Sequence, residues 1–236
     1  MPLIRLLHTC LLGGLLASMA ACANAPAARP GPPQVPEQVS NADWENDMRR
    51  FAAADAVAPP PKQAVLFIGS SSIRFWDTLA TDFPGVPVIN RGFGGSEIRD
   101  STWYADRIVV PYAPRMIVLY AGENDLESGR SPQQVRADFH AFVARVRRDL
   151  PGVRIAYISS KPSPLRVRML EAERQANALI EGDAARLKVR FIDVFTPMLD
   201  THGQPREELF REDRLHMNPA GYELWKRVVA PYLLAD

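Results

Sequence analysis

Short apolar runs alternate along the chain with longer segments whose apolar residues recur at helical spacing. The first run is Ala64, Val65, Leu66, Phe67 and Ile68, unbroken by any polar residue. Such a run suits a strand buried on both faces, as in a parallel sheet. Gly69 breaks it, three serines follow, and Ile73, Phe75 and Trp76 resume the apolar pattern at a spacing closer to that of a helix. Further runs at Val86–Asn90, Met116–Tyr120, Arg154–Ser159 and Val189–Val194 predict four more strands. Helical patterns lie between them. Ser96 is placed to cap a helix carrying Ile98, Ala105 and Ile108, with Glu97 in its first turn. Ser131, Pro132 and Gln134 supply an N-cap, a first-turn proline and a capping-box partner for the next. That helix buries Val135, Phe139, Phe142, Val143, Val146 and Leu150, and His140 falls off the stripe as a solvated surface residue. A long helix follows the turn Lys161-Pro162-Ser163-Pro164 and runs to about Leu187. A last helix starts at Asn218 and Pro219 and carries Tyr222, Trp225 and Val229. Ahead of the first strand, Asn41–Ala54 reads as an amphipathic helix with Trp44, Met48 and Phe51 on one face, ended by Pro59, Pro60 and Pro61. This alternation, without a repeat of solenoid length, predicts one α/β domain over residues 41–236 around a five-stranded parallel sheet.

The segment before that domain has another composition. Met1–Ala21 carries Arg5, then a leucine-rich stretch and small residues, the pattern of a secretory signal peptide. Met19-Ala20-Ala21-Cys22 resembles a bacterial lipobox, which makes Cys22 the expected site of lipidation, with simple cleavage nearby as the alternative. Residues 22–40 are rich in Pro and Ala and read as a solvated tether. The expected location is therefore periplasmic, anchored to the membrane through Cys22, or else secreted and soluble. Both cysteines, Cys10 and Cys22, precede the domain, so no disulfide or cysteine metal site is available to it. No cofactor is expected. A net charge of +1 over 236 residues gives no bulk electrostatic case for nucleic acid.

The polar segments after the apolar runs hold the candidate chemistry. Acyl transfer needs a nucleophile, a base for its proton, a group that orients the base, and donors for an oxyanion. Ser71 offers a hydroxyl at a strand-to-helix turn, with Ser72 as second choice. His216 is the best base, since His140 lies on a helix and His202 in a glycine-containing loop. Asp213, three residues before it, can hold the ring. The Ser71 and Gly95 amides and the Asn124 side chain are candidate oxyanion donors. Each has a plainer role available: a turn for Gly92, Gly94 and Gly95, a loop cap for Asn124-Asp125, a brace for the last helix from Asp213.

Four blocks in this order resemble the SGNH or GDSL-type hydrolases. Gly69-Ser70-Ser71 matches the Gly-Asp-Ser block, with Ser70 where many members have Asp; Gly95 falls at the second-block glycine. Gly122-Glu123-Asn124-Asp125 matches Gly-x-Asn-Asp, and Asp213-Arg214-Leu215-His216 matches Asp-x-x-His. The likeness runs from about Val65 to Trp225, in the style of bacterial members related to platelet-activating-factor acetylhydrolase catalytic subunits. It implies a three-layer α/β/α flavodoxin-like fold, Ser71, Asp213 and His216 as a catalytic triad, and Ser71, Gly95 and Asn124 as the oxyanion hole. The α/β-hydrolase signature Gly-x-Ser-x-Gly is missing, because position 73 is Ile. The expected activity is hydrolysis of short acyl esters of a small molecule or glycan. O-acyl transfer and a non-catalytic glycan-binding envelope module are the alternatives. Phe93, Trp76, Trp103, Leu126 and Met217 are the candidate lining of an acyl or alcohol pocket, with core packing as the equal alternative.

Overall fold

The structure, a computed structural model, describes residues 42–234. The predicted signal peptide, the tether and Cys22 lie outside them. Helix α1 spans Ala42–Val57 and stops before the three prolines. Strand β1 (Val65–Gly69), β2 (Val88–Gly92), β3 (Met116–Tyr120), β4 (Arg154–Ile158) and β5 (Val189–Ile192) form one all-parallel sheet in the order β2-β1-β3-β4-β5. The helices between them are α2 (Ser71–Arg74), α3 (Leu79–Asp82), α4 (Ile98–Trp103), α5 (Ala105–Ile108), α6 (Glu123–Glu127), α7 (Pro132–Asp149) and α8 (Leu170–Ala184); α9 (Pro219–Leu234) closes the domain.

Alternation along the strands divides the core in two. Leu66 and Ile68, Ile117 and Leu119, and Ile155 and Tyr157 point to the layer of α1, α4, α7 and α8. Val65 and Phe67, Met116 and Val118, and Ala156 and Ile158 point to the opposite layer, which Trp76, Tyr222, Trp225 and Val229 complete. The sheet is thus covered on both faces, which is why its strands read as continuous apolar runs.

Several boundaries move by one to three residues from the sequence expectation. β2 begins at Val88 and ends at Gly92, and the predicted long helix after β4 opens with a 3-10 turn, Pro164–Met169, before α8. The predicted single helix after Ser96 is two short ones, interrupted at Tyr104, and Glu97 takes the N-cap position. The Glu97 amide donates to Asp100 Oδ2 at 2.8 Å, while the Ser96 hydroxyl is buried without a hydrogen-bond partner. The Ser131 capping box forms as expected, with the Gln134 amide donating to Ser131 Oγ at 3.2 Å.

The strand order reverses between β1, which leads out to β2, and β3, which leads out to β4 and β5. In open parallel sheets such a switch point leaves a crevice beyond the carboxyl ends of the strands. Gly69 lets the chain turn there. Its φ is +139°, and a Cβ at this position would overlap the Tyr120 carbonyl of the adjacent strand. Gly69→Ala is therefore expected to cost at least about 3 kcal/mol through backbone overlap and an unfavourable φ. A thermal midpoint lowered by roughly 10 °C relative to wild type checks this.

Candidate active site

Ser71 stands at the first position of α2, directly after the β1 turn. The Ser70 amide donates to Tyr120 O at 3.1 Å and the Ser70 carbonyl accepts from Ile73 and Arg74 at 3.0 and 3.1 Å, which fixes the turn to β3 and starts the helix. At the first helical position the Ser71 amide lacks an intrahelical acceptor and stays available. The Ser71 hydroxyl lies 3.1 Å from His216 Nε2. Ser72 faces away: it is buried, and its carbonyl accepts the Tyr222 hydroxyl at 3.0 Å.

The other ring nitrogen, His216 Nδ1, lies 2.7 Å from Asp213 Oδ2. Asp213 Oδ1 accepts the backbone amides of Leu215 and His216 at 2.9 and 2.8 Å. The turn that makes this possible places Arg214 at φ +57°, in the left-handed region. Burial alone would raise the Asp213 carboxyl; the His216 amide and ring and the Leu215 amide outweigh it and hold the group down at about 2. The loop is pinned on both sides. Arg211 N donates to His216 O at 2.8 Å, Asn218 Nδ2 donates to Glu208 O and Phe210 O at 2.9 and 3.0 Å, and Leu165 N donates to Arg214 O at 2.9 Å. Phe75 sets its ring edge-to-face with the imidazole, centroids 5.0 Å apart.

Gly95 follows β2 with φ +80° and open space where a side chain would begin. Its neighbour Gly94 accepts Trp44 Nε1 at 3.0 Å, so α1 holds this loop from behind. Asn124, on α6 after β3, donates from Nδ2 to Ser96 O at 3.0 Å and accepts Arg166 Nη1 on Oδ1 at 3.1 Å. Asp125 beside it is fully buried and accepts the Ile98 amide at 3.1 Å, tying the β3 loop to α4. All five residues expected from sequence thus come to the carboxyl ends of three adjacent strands or to the loop that crosses them. Together these groups can move a proton from a hydroxyl to a ring and present hydrogen-bond donors to an adjacent oxygen.

The sequence profile of the GDSL-like lipase/acylhydrolase family matches residues 69–224, two thirds of the chain. The chain belongs to this family. As a GDSL-like acylhydrolase it is a carboxylic ester hydrolase, and its α/β fold matches those of solved neighbours. A Streptococcus pneumonia protein named for platelet activating factor superposes with a TM-score of 0.72 at 22% identity, covering 80% of this chain and 92% of its own. A GDSL-like lipase from Bacteroides thetaiotaomicron gives 0.67 at 19% identity, over 79% and 96%. A catalytic mutant of an acetylxylan esterase from Geobacillus stearothermophilus gives 0.59 at 15% identity, over 75% and 96%. No curated protein sequence matches the chain.

Three expectations around the site of this acylhydrolase need correction. Trp76, Phe93 and Met217 are fully buried in the core and Leu126 nearly so, while Trp103 is 54% exposed on α4. The four buried ones serve core packing, and Trp103 borders a surface cavity with Thr102, Asp106, Arg145 and Arg148, none of them a residue of the site. His140 is not simply solvated: its Nε2 lies 2.7 Å from Asp183 Oδ2, and Arg136 and Arg186 share that carboxylate. The turn at Lys161-Pro162-Ser163-Pro164 is more than a connector. Lys161 Nζ, buried, donates to Glu123 Oε2 at 2.7 Å and Ser163 Oγ at 2.6 Å, and Ser163 Oγ donates to Glu123 Oε1 at 2.5 Å. Their separation of about forty residues in sequence left no local signal.

Buried carboxyls behind the site set its response to pH. Burial raises Asp100 to about 7, Asp125 to about 8 and Glu173 to about 9, with the nearby Glu97 charge adding to the first two and Glu123 to the third. A carboxyl raised on folding keeps a proton that the unfolded chain releases in the ordinary acidic range. Stability should therefore fall as pH rises from that range through about 9. Both Glu173 oxygens are buried without a hydrogen-bond partner, and Glu173→Gln removes its proton release. Thermal midpoints from pH 5 to 9 should decline less steeply in this variant than in wild type.

Proposed function

We propose that the protein is an exported serine esterase acting on short acyl esters. Ser71 attacks the ester carbonyl, His216 takes its proton and returns it to the leaving alcohol, and Asp213 holds the imidazole with Nε2 free to accept. The Ser71 and Gly95 amides and Asn124 Nδ2 stabilise the oxyanion of the tetrahedral intermediate. Water then repeats the sequence on the acyl-enzyme. The observation that carries this reading is the bracketing of one imidazole by Ser71 Oγ at 3.1 Å and Asp213 Oδ2 at 2.7 Å.

Short acyl groups are favoured by what surrounds the nucleophile. Trp76, Phe93, Leu126 and Met217 are withdrawn into the core, and the larger cavities of the described residues lie elsewhere. One of about 680 Å³ opens between α1 and Tyr112, and others of about 560 and 450 Å³ lie along residues 151–154; beside the site is a smaller one of about 280 Å³, bordered by Phe75 and Asn218. A shallow, open site suits acetyl-type esters carried on a bulky alcohol, including acetylated glycans of the kind named for the Geobacillus esterase. Export and anchoring through lipidated Cys22 belong to the same proposal, and the mass of the mature N-terminus tests them.

A panel of p-nitrophenyl esters of increasing acyl length tests the activity. Acetate should be hydrolysed with the highest kcat/KM and octanoate poorly. Absence of turnover on every ester, together with no labelling by a fluorophosphonate, overturns the reading.

A further inference from the structure

We propose that Arg166 is a positioning residue for the oxyanion hole, acting through Asn124. The inference rests on the reading of Asn124 as an oxyanion donor. A primary amide can sit in its place in two orientations related by a flip, and only one directs N–H groups to a chosen side. Here both orientations are not equivalent. Arg166 offers donors only, so the atom of Asn124 that faces Nη1 at 3.1 Å is the oxygen. The Ser96 carbonyl accepts only, so the atom facing it at 3.0 Å is the nitrogen. The two contacts lock the amide from opposite ends. One Nδ2 hydrogen is taken up by Ser96 O, and the second is left for an oxyanion.

The guanidinium does more than select an orientation. A cation bonded to the amide oxygen draws electron density from the nitrogen and strengthens its N–H as a donor. The environment keeps that cation close. The Arg166 side chain is only 13% exposed, with Nη1 also 3.4 Å from Glu123 Oε1 and Nε 3.8 Å from Glu127 Oε2. Glu123 is itself held by Lys161 and Ser163, and it accepts the Tyr120 hydroxyl at 3.0 Å. Burial would raise the Glu123 carboxyl, but Lys161, then Arg166, bring it below its ordinary value. Glu173 adds a neighbouring carboxyl that burial keeps protonated at neutral pH. One carboxylate thus faces two cations behind Asn124, and Arg166 is the member of the cluster that reaches the site.

The segment bearing Arg166 is anchored to the base as well. Arg166 N donates to Ser163 O at 2.9 Å, and the preceding Leu165 N donates to Arg214 O, between Asp213 and His216. Arg166 therefore sits in a strap joining the buried charge cluster to the His216 loop.

A double-mutant cycle on the full chain tests this, with p-nitrophenyl acetate as substrate. Arg166→Met should lower kcat about 10- to 100-fold, the loss expected for a charged hydrogen bond acting in the transition state, with a much smaller change in KM. In an Asn124→Ala background the same substitution should lower kcat by no more than about 2-fold, because the residue through which it acts is gone. Arg166→Lys should recover part of the lost rate, since it keeps the charge and one donor. Equal losses in the two backgrounds, or an unchanged kcat in Arg166→Met, overturn the inference while leaving Asn124 in its role. An unchanged kcat in Asn124→Ala alone overturns the reading of Asn124 and the inference with it. Thermal midpoints are measured for each variant, and if Arg166→Met does not fold, Arg166→Lys is carried through the same cycle under the same criteria.

Discussion

Ser71→Ala should abolish ester turnover and fluorophosphonate labelling while leaving the protein folded. The hydroxyl is the atom 3.1 Å from His216 Nε2, so its removal takes away both the nucleophile and the proton that the base accepts. In serine hydrolases generally, loss of the nucleophile costs about 10⁶ in kcat, because the remaining triad has nothing to act on. Folding should be spared. The Ser71 hydroxyl bonds His216, and the turn is held by main-chain contacts of Ser70 to Tyr120, Ile73 and Arg74. The neighbouring serines provide internal controls. Ser72 is 3% exposed and Ser70 4% exposed, so neither presents a hydroxyl to substrate as Ser71 does. Retention of turnover in Ser71→Ala, with loss in Ser72→Ala, would move the nucleophile by one residue.

Much of this arrangement is legible in the amino-acid sequence, and the reason is local. Ala64 to Ile68 announces a strand because a sheet covered on both faces removes the usual polar alternation. The breaks at Gly69 and Gly92 follow from backbone paths that a side chain would obstruct, and the one at Gly95 from a φ of +80°. The Asp213–His216 pair is readable from its spacing, since three residues can bring both side chains to one face of a turn. What the spacing does not carry is the left-handed Arg214 and the two amides that Asp213 accepts. Contacts across the fold are harder. Nothing near Glu123 announces Lys161, and nothing near Asn124 announces Arg166, forty-two residues away. The pocket expectation failed for a related reason. Apolar residues beside a motif look the same whether they line a cleft or fill the layer beneath it, and here Trp76 joins Phe67, Phe83 and Trp225 in the core. Even α1 is legible as amphipathic, though not its reach: Trp44 touches the glycine loop from fifty residues away.

Asp213→Asn should lower kcat by about 10⁴ while the protein folds and binds substrate much as before, and the local hydrogen bonds say why. The carboxylate uses its two oxygens differently. Oδ1 accepts two backbone amides, and Oδ2 accepts the Nδ1 hydrogen of His216. An asparagine must place its oxygen where the two amides donate, because an amide nitrogen there would set donor against donor. Its nitrogen is then left facing His216 Nδ1, where it donates. The ring answers by carrying its hydrogen on Nε2, the nitrogen that faces Ser71, and in that tautomer it cannot take the serine proton. The same substitution removes the charge that stabilises the imidazolium formed in the reaction. Since the amides of Leu215 and His216 keep their acceptor, the thermal midpoint should shift by only a few degrees. Asp213→Ala lacks the misplaced donor and leaves the tautomer free. Its kcat should therefore be no lower than that of Asp213→Asn, provided its thermal midpoint shows the loop intact. Steady-state kinetics of the two variants decide the matter: a kcat in Asp213→Asn equal to wild type removes Asp213 from the triad and returns it to bracing α9.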